Sequence, residues 1–366
     1  MIKIFERWIE RYFADEEAVL VAVLLVVAAV IVVTLGVVLA PMFTAIIIAF
    51  LMQGMVAKLV SWGVPHILAV IAASLVLTSS IILCFFVLLP AMWQQGLLLA
   101  TEAPKMIKQG QNLLLLLPEK YPAMITAEQV QVISGKVGPE LGKLGQSVLT
   151  FSVAQLPIAL GVLIYLVLVP ILVFFFLKDA KQMLAWFAGV LPKERPVMKQ
   201  IWSEMNMQIA NYVRGKVIEI LIVAGISSAT FMFLEVNYAL LLGIVVGLSV
   251  LIPYLGAAVA TIPVFLIGFF QWGWSGELAY LMLAYAVIQA LDGNVLVPLL
   301  FSEAVKMHPV AIVLAVLVFG GLWGFWGVFF AIPLATLCKA VINAWPTQAK
   351  PETKPVTELD KAEVVD

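Results

Sequence analysis

Charge is what this chain has least of. Only 12% of its 366 residues are Asp, Glu, Lys or Arg, while 63% are hydrophobic. A soluble domain carries about 25% charged and about 45–50% apolar residues, so a water-soluble globular domain is excluded. The net charge of −1 gives no general attraction to nucleic acid. The two histidines, His66 and His308, cannot build a His-based metal site; both fall in short loops, where packing or capping is the expected role. The two cysteines, Cys84 and Cys338, sit far apart in apolar segments, so packing is expected and no redox compartment is defined. No nucleophile elbow, zinc signature or kinase motif is present. The glycines of residues 320–327 are not followed by Gly-Lys-Ser/Thr, so nucleotide binding is discounted. The expectation is a protein that is not an enzyme and needs no cofactor.

What the chain has in abundance is uninterrupted apolar length. The fold class expected is an all-α polytopic membrane protein with about eight membrane segments and Gly/Pro-broken or re-entrant helices in its C-terminal half. Residues 1–16 read as an interfacial amphipathic helix, with Ile2, Phe5, Trp8, Ile9, Tyr12 and Phe13 on one face and Lys3, Glu6, Arg7, Glu10 and Arg11 on the other. A secretory signal is not expected: the following apolar run is too long, and Glu16 and Glu17 directly precede it. Residues 17–90 read as N-terminal membrane helices. A first span (18–35) is followed by a tight turn at residues 36–41, a returning span (42–60) and a third span (67–89) ended by Pro90. Residues 91–155 hold five lysines, four glutamates and apolar clusters broken by Gly and Pro, which suggests extracytoplasmic amphipathic helices. Residues 156–177 form a further span despite Pro157 and Pro170. Residues 178–216 are a cationic, amphipathic cytoplasmic segment, 217–340 the transport core, and 341–366 a polar, disordered cytoplasmic tail.

Basic residues orient the chain. With both termini cytoplasmic, sixteen of the 21 basic residues, every arginine among them, fall on the inside, and the outside holds only the lysines of residues 91–155.

Two long apolar segments are broken. Residues 238–270 contain Gly243, Gly247, Pro253, Tyr254, Gly256 and Pro263 and read as two arms joined at 253–256. Residues 310–337 contain Gly320, Gly321, Gly324, Gly327 and Pro333 and break at 320–324. Both end alike, in Val259-Ala-Thr-Ile-Pro263 and Phe329-Phe-Ala-Ile-Pro333. A single span, 278–297, separates them, so the first begins outside and the second inside. Interrupted segments of opposite orientation point to a transporter site between inverted repeats; a short chance match is the competing reading. Gly243 and Gly247 form a small-xxx-small pair suited to helix packing.

Between the two lies Gln289-Ala-Leu-Asp-Gly-Asn-Val-Leu-Val-Pro298. A carboxylate near the bilayer centre costs about 2.5–3.5 kcal/mol on insertion scales and marks a functional candidate. On that reading Asp292 binds a cation or proton, while Gln289 and Asn294 hydrogen-bond a solute. Gly293 lets that solute approach, and Pro298 frees the carbonyl of Asn294. Pro253, Tyr254, Gly256, Gly320, Gly321, Gly324 and Gly327 then supply helix breaks and gating. On the other reading Asp292 lies near the headgroups and ends a helix, since Asp-Gly-Asn is good turn chemistry. Glu219 is expected to snorkel at the interface or to pair with Lys216.

Several stretches are similar to one family. Tyr212-Val-Arg-Gly215, Leu251-Ile-Pro-Tyr-Leu-Gly256, Asp292-Gly-Asn-Val-Leu-Val-Pro298, His308-Pro309 and Gly324-Phe-Trp-Gly-Val-Phe-Phe-Ala-Ile-Pro333 resemble the AI-2E family of membrane transporters. The resemblance covers nearly the whole chain. It implies residence in a bacterial inner membrane and export of a small polar solute like autoinducer-2, or sodium(lithium)/proton antiport. It also implies assembly of identical subunits, a pentamer among the forms. Asp292 stands where glutamate is common in the family, and Glu303 where a basic residue often follows. The partners expected are the lipid bilayer, a small-molecule or ion substrate and other copies of the chain. A non-transporting membrane scaffold is a third reading, recruiting a partner through residues 91–155 or 178–216.

Overall fold

A computed structural model describes residues 16–120, 156–192, 195–253, 255–301 and 307–345. The expected amphipathic helix before residue 16, the remainder of the outer segment (121–155), Tyr254 and the tail from residue 346 lie outside the described residues. The elements in order are α1 (Glu16–Ser61), α2 (His66–Leu83), α3 (Leu89–Lys120), α4 (Leu156–Val190), α5 (Pro196–Phe233), α6 (Ala239–Ser249), α7 (Leu255–Trp272), α8 (Gly276–Leu291), α9 (Val297–Phe301), α10 (Pro309–Phe329) and α11 (Ala331–Ala344). A π-turn, Cys84–Leu88, runs α2 into α3, and a second, Asp292–Leu296, runs α8 into α9. Among the described residues there is no strand, and eight helical stretches are long and apolar enough to cross a membrane. The outward surface is hydrocarbon, with Leu75, Phe86, Leu221 and Phe233 all exposed, as a lipid-facing wall requires. The protein is an all-α polytopic membrane protein.

Three sequence expectations give way here. The tight turn at residues 36–41 does not form: α1 runs unbroken through Pro41. Gly36 serves another purpose, since a side chain there would collide with the indole of Trp323. The glycine is a notch rather than a turn, and residues 42–60 continue the same helix instead of turning back. Pro90 does not end the third span either. Both π-turns close two residues before a proline, Leu88 before Pro90 and Leu296 before Pro298. Proline lacks an N–H and its ring crowds the carbonyl one turn back. Widening the preceding turn, with Leu89 N–H bonding Cys84 O and Val297 N–H bonding Asp292 O, lets each helix pass its proline without breaking. The outer segment is therefore, as far as Lys120, a direct extension of a membrane helix. Finally, Cys84 and Cys338 are free and exposed, so they are not core packing residues.

The N-terminal layer packs α1, α2 and α4 through small residues, with Ala45, Ala69, Ala73 and Val173 fully buried. Small side chains let membrane helices approach closely, where van der Waals contact replaces the hydrophobic drive. The C-terminal layer is built on α5. Glu17 Oε1 accepts from Met198 N at 2.8 Å, a carboxylate at the positive end of α5. Further along, Gly243 and Gly247 of α6 lie directly on Ser228 and Ala224 of α5, which is the packing role expected of that glycine pair.

Both broken segments fold back on themselves. The first is α6 and α7 with non-helical backbone between Val250 and Pro253; Gly256 passes so close to the carbonyl of Ser249 that no side chain fits. Its open ends meet. Asn237 N donates to Gln271 Oε1 at 2.8 Å, and Gln271 Nε2 donates to Glu235 O at 2.7 Å. α3 grips the same end: Tyr238 Oη donates to Glu102 Oε2 at 2.6 Å and Leu241 N donates to Gln95 Oε1 at 2.9 Å. The second segment, α10 and α11, turns at Gly324, whose φ of 60° and ψ of −136° only glycine tolerates readily. Here Gly327 closes on the carbonyl of Phe319. Ala315 and Val316 of α10 pack on Ala331 and Ala335 of α11. The two pinch points, Ser249–Gly256 and Phe319–Gly327, recur at nearly the offset of the aligned prolines Pro263 and Pro333. One crossing, α8 through α9, separates the two hairpins, and Ile252 at the break of the first packs on Ala315, Val316, Ala331 and Ala335 in the arms of the second.

Candidate functional site

The two hairpins meet on α5. Tyr212 and Lys216 lie one turn apart on one face of that helix. Lys216 Nζ donates to the carbonyl of Val250, freed by the first break, at 2.8 Å. Tyr212 Oη donates to the carbonyl of Phe329, beyond the second break, at 3.1 Å. In hydrocarbon an unpaired carbonyl costs several kcal/mol, so non-helical backbone persists only where protein satisfies it. A single helix face thus fastens both hairpins. Lys216 Nζ also bonds Glu219 Oε2 at 2.7 Å, with both side chains almost fully buried, and lies 5.3 Å from the centre of the Phe301 ring. Of the two expectations for Glu219, pairing holds and snorkelling does not.

A cavity of about 340 Å³ opens between these groups. Tyr212, Lys216 and Glu219 line it from α5, Val250, Ile252 and Pro253 from the first break, and Gln289, Asp292 and Gly293 from the crossing helix. Asp292 does not end a helix. It lies within a continuous helical run of 26 residues, Gly276–Phe301, about 24 Å from its start and about 14 Å from its finish at 1.5 Å per residue. The reading in which it ends a helix is therefore set aside. Asp292 is only 8% exposed, and its Oδ1 is buried with no hydrogen-bond partner. Gln289 Nε2 sits beside the Tyr285 hydroxyl but makes no hydrogen bond of good geometry.

The sequence-predicted residues divide. Asp292, Gln289, Gly293 and Pro253 line the cavity. Beside Gly293 nothing approaches within 4 Å of where a side chain would begin, so it contributes room. Asn294 is not brought in: it is exposed, and its Nδ2 donates to Ala290 O at 2.8 Å along its own helix. Residues two apart do not share a helix face, so Asn294 and Asp292 were poor partners from the start. Pro298 shapes the π-turn without lining the cavity. Gly256, Gly320, Gly324 and Gly327 shape the hairpin tips, with Gly320 against Val328, while Gly321 meets nothing. His308 caps α10, its Nδ1 accepting from Val310 N at 3.3 Å.

Sequence reasoning missed Lys216 as a site residue. A lysine closing a cationic stretch before an apolar span reads as an interfacial anchor. The available signal was its spacing, one turn after Tyr212 and one before Glu219, which places three polar groups on one face of a membrane-entering helix. Among the described residues no three His, Cys, Asp or Glu side chains converge as metal ligands would.

Opposed re-entrant hairpins meeting at a buried, charged cavity are the architecture of a membrane transporter. The family model for AI-2E family transporters matches residues 19–347, and the chain belongs to that family. It is similar to the "Putative permease PerM" of Escherichia coli K12, at 45% identity over 346 residues, covering 94% of this chain and 98% of the relative. It is also similar to the "Putative transport protein YueF" of Bacillus subtilis 168, at 25% over 82% of each chain. The "AI-2 transport protein TqsA" of E. coli K12 matches at 23% over 84% of this chain and 86% of its own.

Proposed function

We propose that this protein is a secondary permease that moves a small polar solute across a bacterial inner membrane through the cavity between the hairpin tips, without nucleotide hydrolysis. The observation that carries this reading is Asp292: a carboxylate inside the membrane, its Oδ1 without a partner, facing a cavity fitted to a small molecule. Gln289 offers an amide beside it. The hairpins on either side supply two gates of opposite orientation, the basis of alternating access. The family resemblance supports export, and the name of TqsA, an AI-2 transport protein, supports a solute of the autoinducer-2 class as one candidate. The cationic stretch 178–216 and the C-terminus face the cytoplasm under the bias of basic residues. The family likewise favours a homo-oligomer, a pentamer among the candidates.

The test uses Asp292→Asn in reconstituted vesicles. The substitution keeps shape and removes charge. Solute flux should fall at least about tenfold, while the protein stays monodisperse. Near-normal flux would reduce Asp292 to a structural residue.

A second reading, sodium(lithium)/proton antiport, is favoured by the close grouping of Lys216, Glu219 and Asp292, two carboxylates and a single cation. Dye-reported proton flux on adding sodium or lithium separates it from solute export.

A further inference from the structure

We infer that the ligand of this cavity is a small organic monocation, a protonated amine carried on a compact apolar body. The inference rests on the permease reading for the use of the site but on separate observations for its chemistry.

The charge balance comes first. Lys216 is spoken for: Glu219 Oε2 holds it at 2.7 Å and the Val250 carbonyl at 2.8 Å. These bonds neutralise the lysine and fix it to the hairpin. Among the described residues no cation lies within ion-pair distance of Asp292, whose Oδ1 is buried and unpartnered. A buried carboxylate is stable only when paired, protonated or metal-bound. With Lys216 already paired, the charge that Asp292 needs comes from a proton or from the cation of a ligand.

The walls decide what carries that charge. Ile252, Ile312, Ile332 and Val297 make most of the cavity hydrocarbon, and the Phe301 ring closes one side. A bare sodium or divalent ion needs a shell of oxygen ligands, and these side chains offer none beyond the carboxylate end. The volume, about 340 Å³, falls at the low end of small-molecule pockets, which run about 300–1,000 Å³. An ammonium group on Asp292 with its hydrocarbon body against the isoleucines meets both demands.

Thermal unfolding of the purified full-length protein tests this with three probes at equal ionic strength and neutral pH: cyclohexylamine, cyclohexanol and sodium chloride. Cyclohexylamine should raise the unfolding temperature in a saturable manner, and cyclohexanol, of the same shape without charge, should not. Asp292→Asn should weaken the apparent amine affinity by about tenfold or more. Ile312→Trp, which keeps the carboxylate and fills the cavity, should do the same, and it carries the test if Asp292→Asn fails to fold. An equal response to cyclohexanol, an amine response that survives both substitutions, or a response to sodium alone would each overturn the inference. Amine-induced stabilisation in a protein that moves no solute in vesicles would count against the permease reading and leave the ligand class standing. Solute flux without any amine response would do the reverse.

Discussion

The two re-entrant hairpins are built on one plan and fastened by different chemistry. Each pinches shut where a glycine meets a carbonyl, Gly256 at Ser249 and Gly327 at Phe319. The first tip is then held by a charge, Lys216 on the Val250 carbonyl, and the cavity opens beside it. The second is held by a neutral hydroxyl, Tyr212 on the Phe329 carbonyl, and by aromatic packing. Trp323 and Phe330 stack at 6.1 Å, Trp326 and Phe330 at 6.3 Å, and Phe43 from α1 meets Trp323 edge-on at 4.9 Å. Two hairpins of like backbone geometry thus divide the labour. The first hairpin carries the ionic side of the site, and the second forms a stiff apolar wall against it.

The largest way to break this comparison is Lys216→Met. It leaves Glu219 buried without its partner and the Val250 carbonyl open, and removal of one member of a buried pair costs about 3–5 kcal/mol. Loss of folded protein on size exclusion is the expected outcome, and adding Glu219→Gln should recover much of it. No equivalent change at the second tip should be as severe. Next come the pinch points. Gly256→Ala and Gly327→Ala each force a methyl onto a carbonyl, and overpacking of this kind costs about 1–3 kcal/mol. Comparable drops in unfolding temperature would support the common plan; a drop in only one would break it. Tyr212→Phe removes a single neutral hydrogen bond and strands the Phe329 carbonyl, a cost of about 1–3 kcal/mol. It should be tolerated far better than Lys216→Met in the same assay. The smallest effect belongs to Gln271→Ala, which loosens the partly solvated base of the first hairpin. Stability should change by about 0.5 kcal/mol, with faster hydrogen exchange at Asn237 as the readout.

The hairpins were legible in the sequence because their cause is local. Pro253 and Gly256 stand three residues apart, and Gly324 stands among Gly320, Gly321 and Gly327, so the breaks could be read from local clusters where a lone Pro41 or Pro90 is passed over. Gly36 was misread for the same reason turned around. Its neighbour, Trp323, lies far along the chain, and no local pattern separates a glycine that turns from one that makes room. Lys216 was hidden similarly, since its partner carbonyl at Val250 exists only once the first hairpin has formed. Asp292 was legible because a carboxylate in an apolar run is costly anywhere. Asn294 was not, because proximity in sequence was taken for proximity on a helix face.

The π-turn at Asp292–Leu296 has a consequence for phase. A straight α-helix advances about 100° per residue, which would set Phe301 about 120° around the axis from Gln289. The wider turn accommodates one additional residue and takes back about 100° of that rotation. Gln289 and Phe301 then face the same cavity from opposite sides of the turn, as both do here. The extra residue works as a dial set between two halves of one helix, the first aiming the polar groups and the second the aromatic wall. Shortening this turn by one residue would spin the lower half away from the cavity and leave the upper half where it stands.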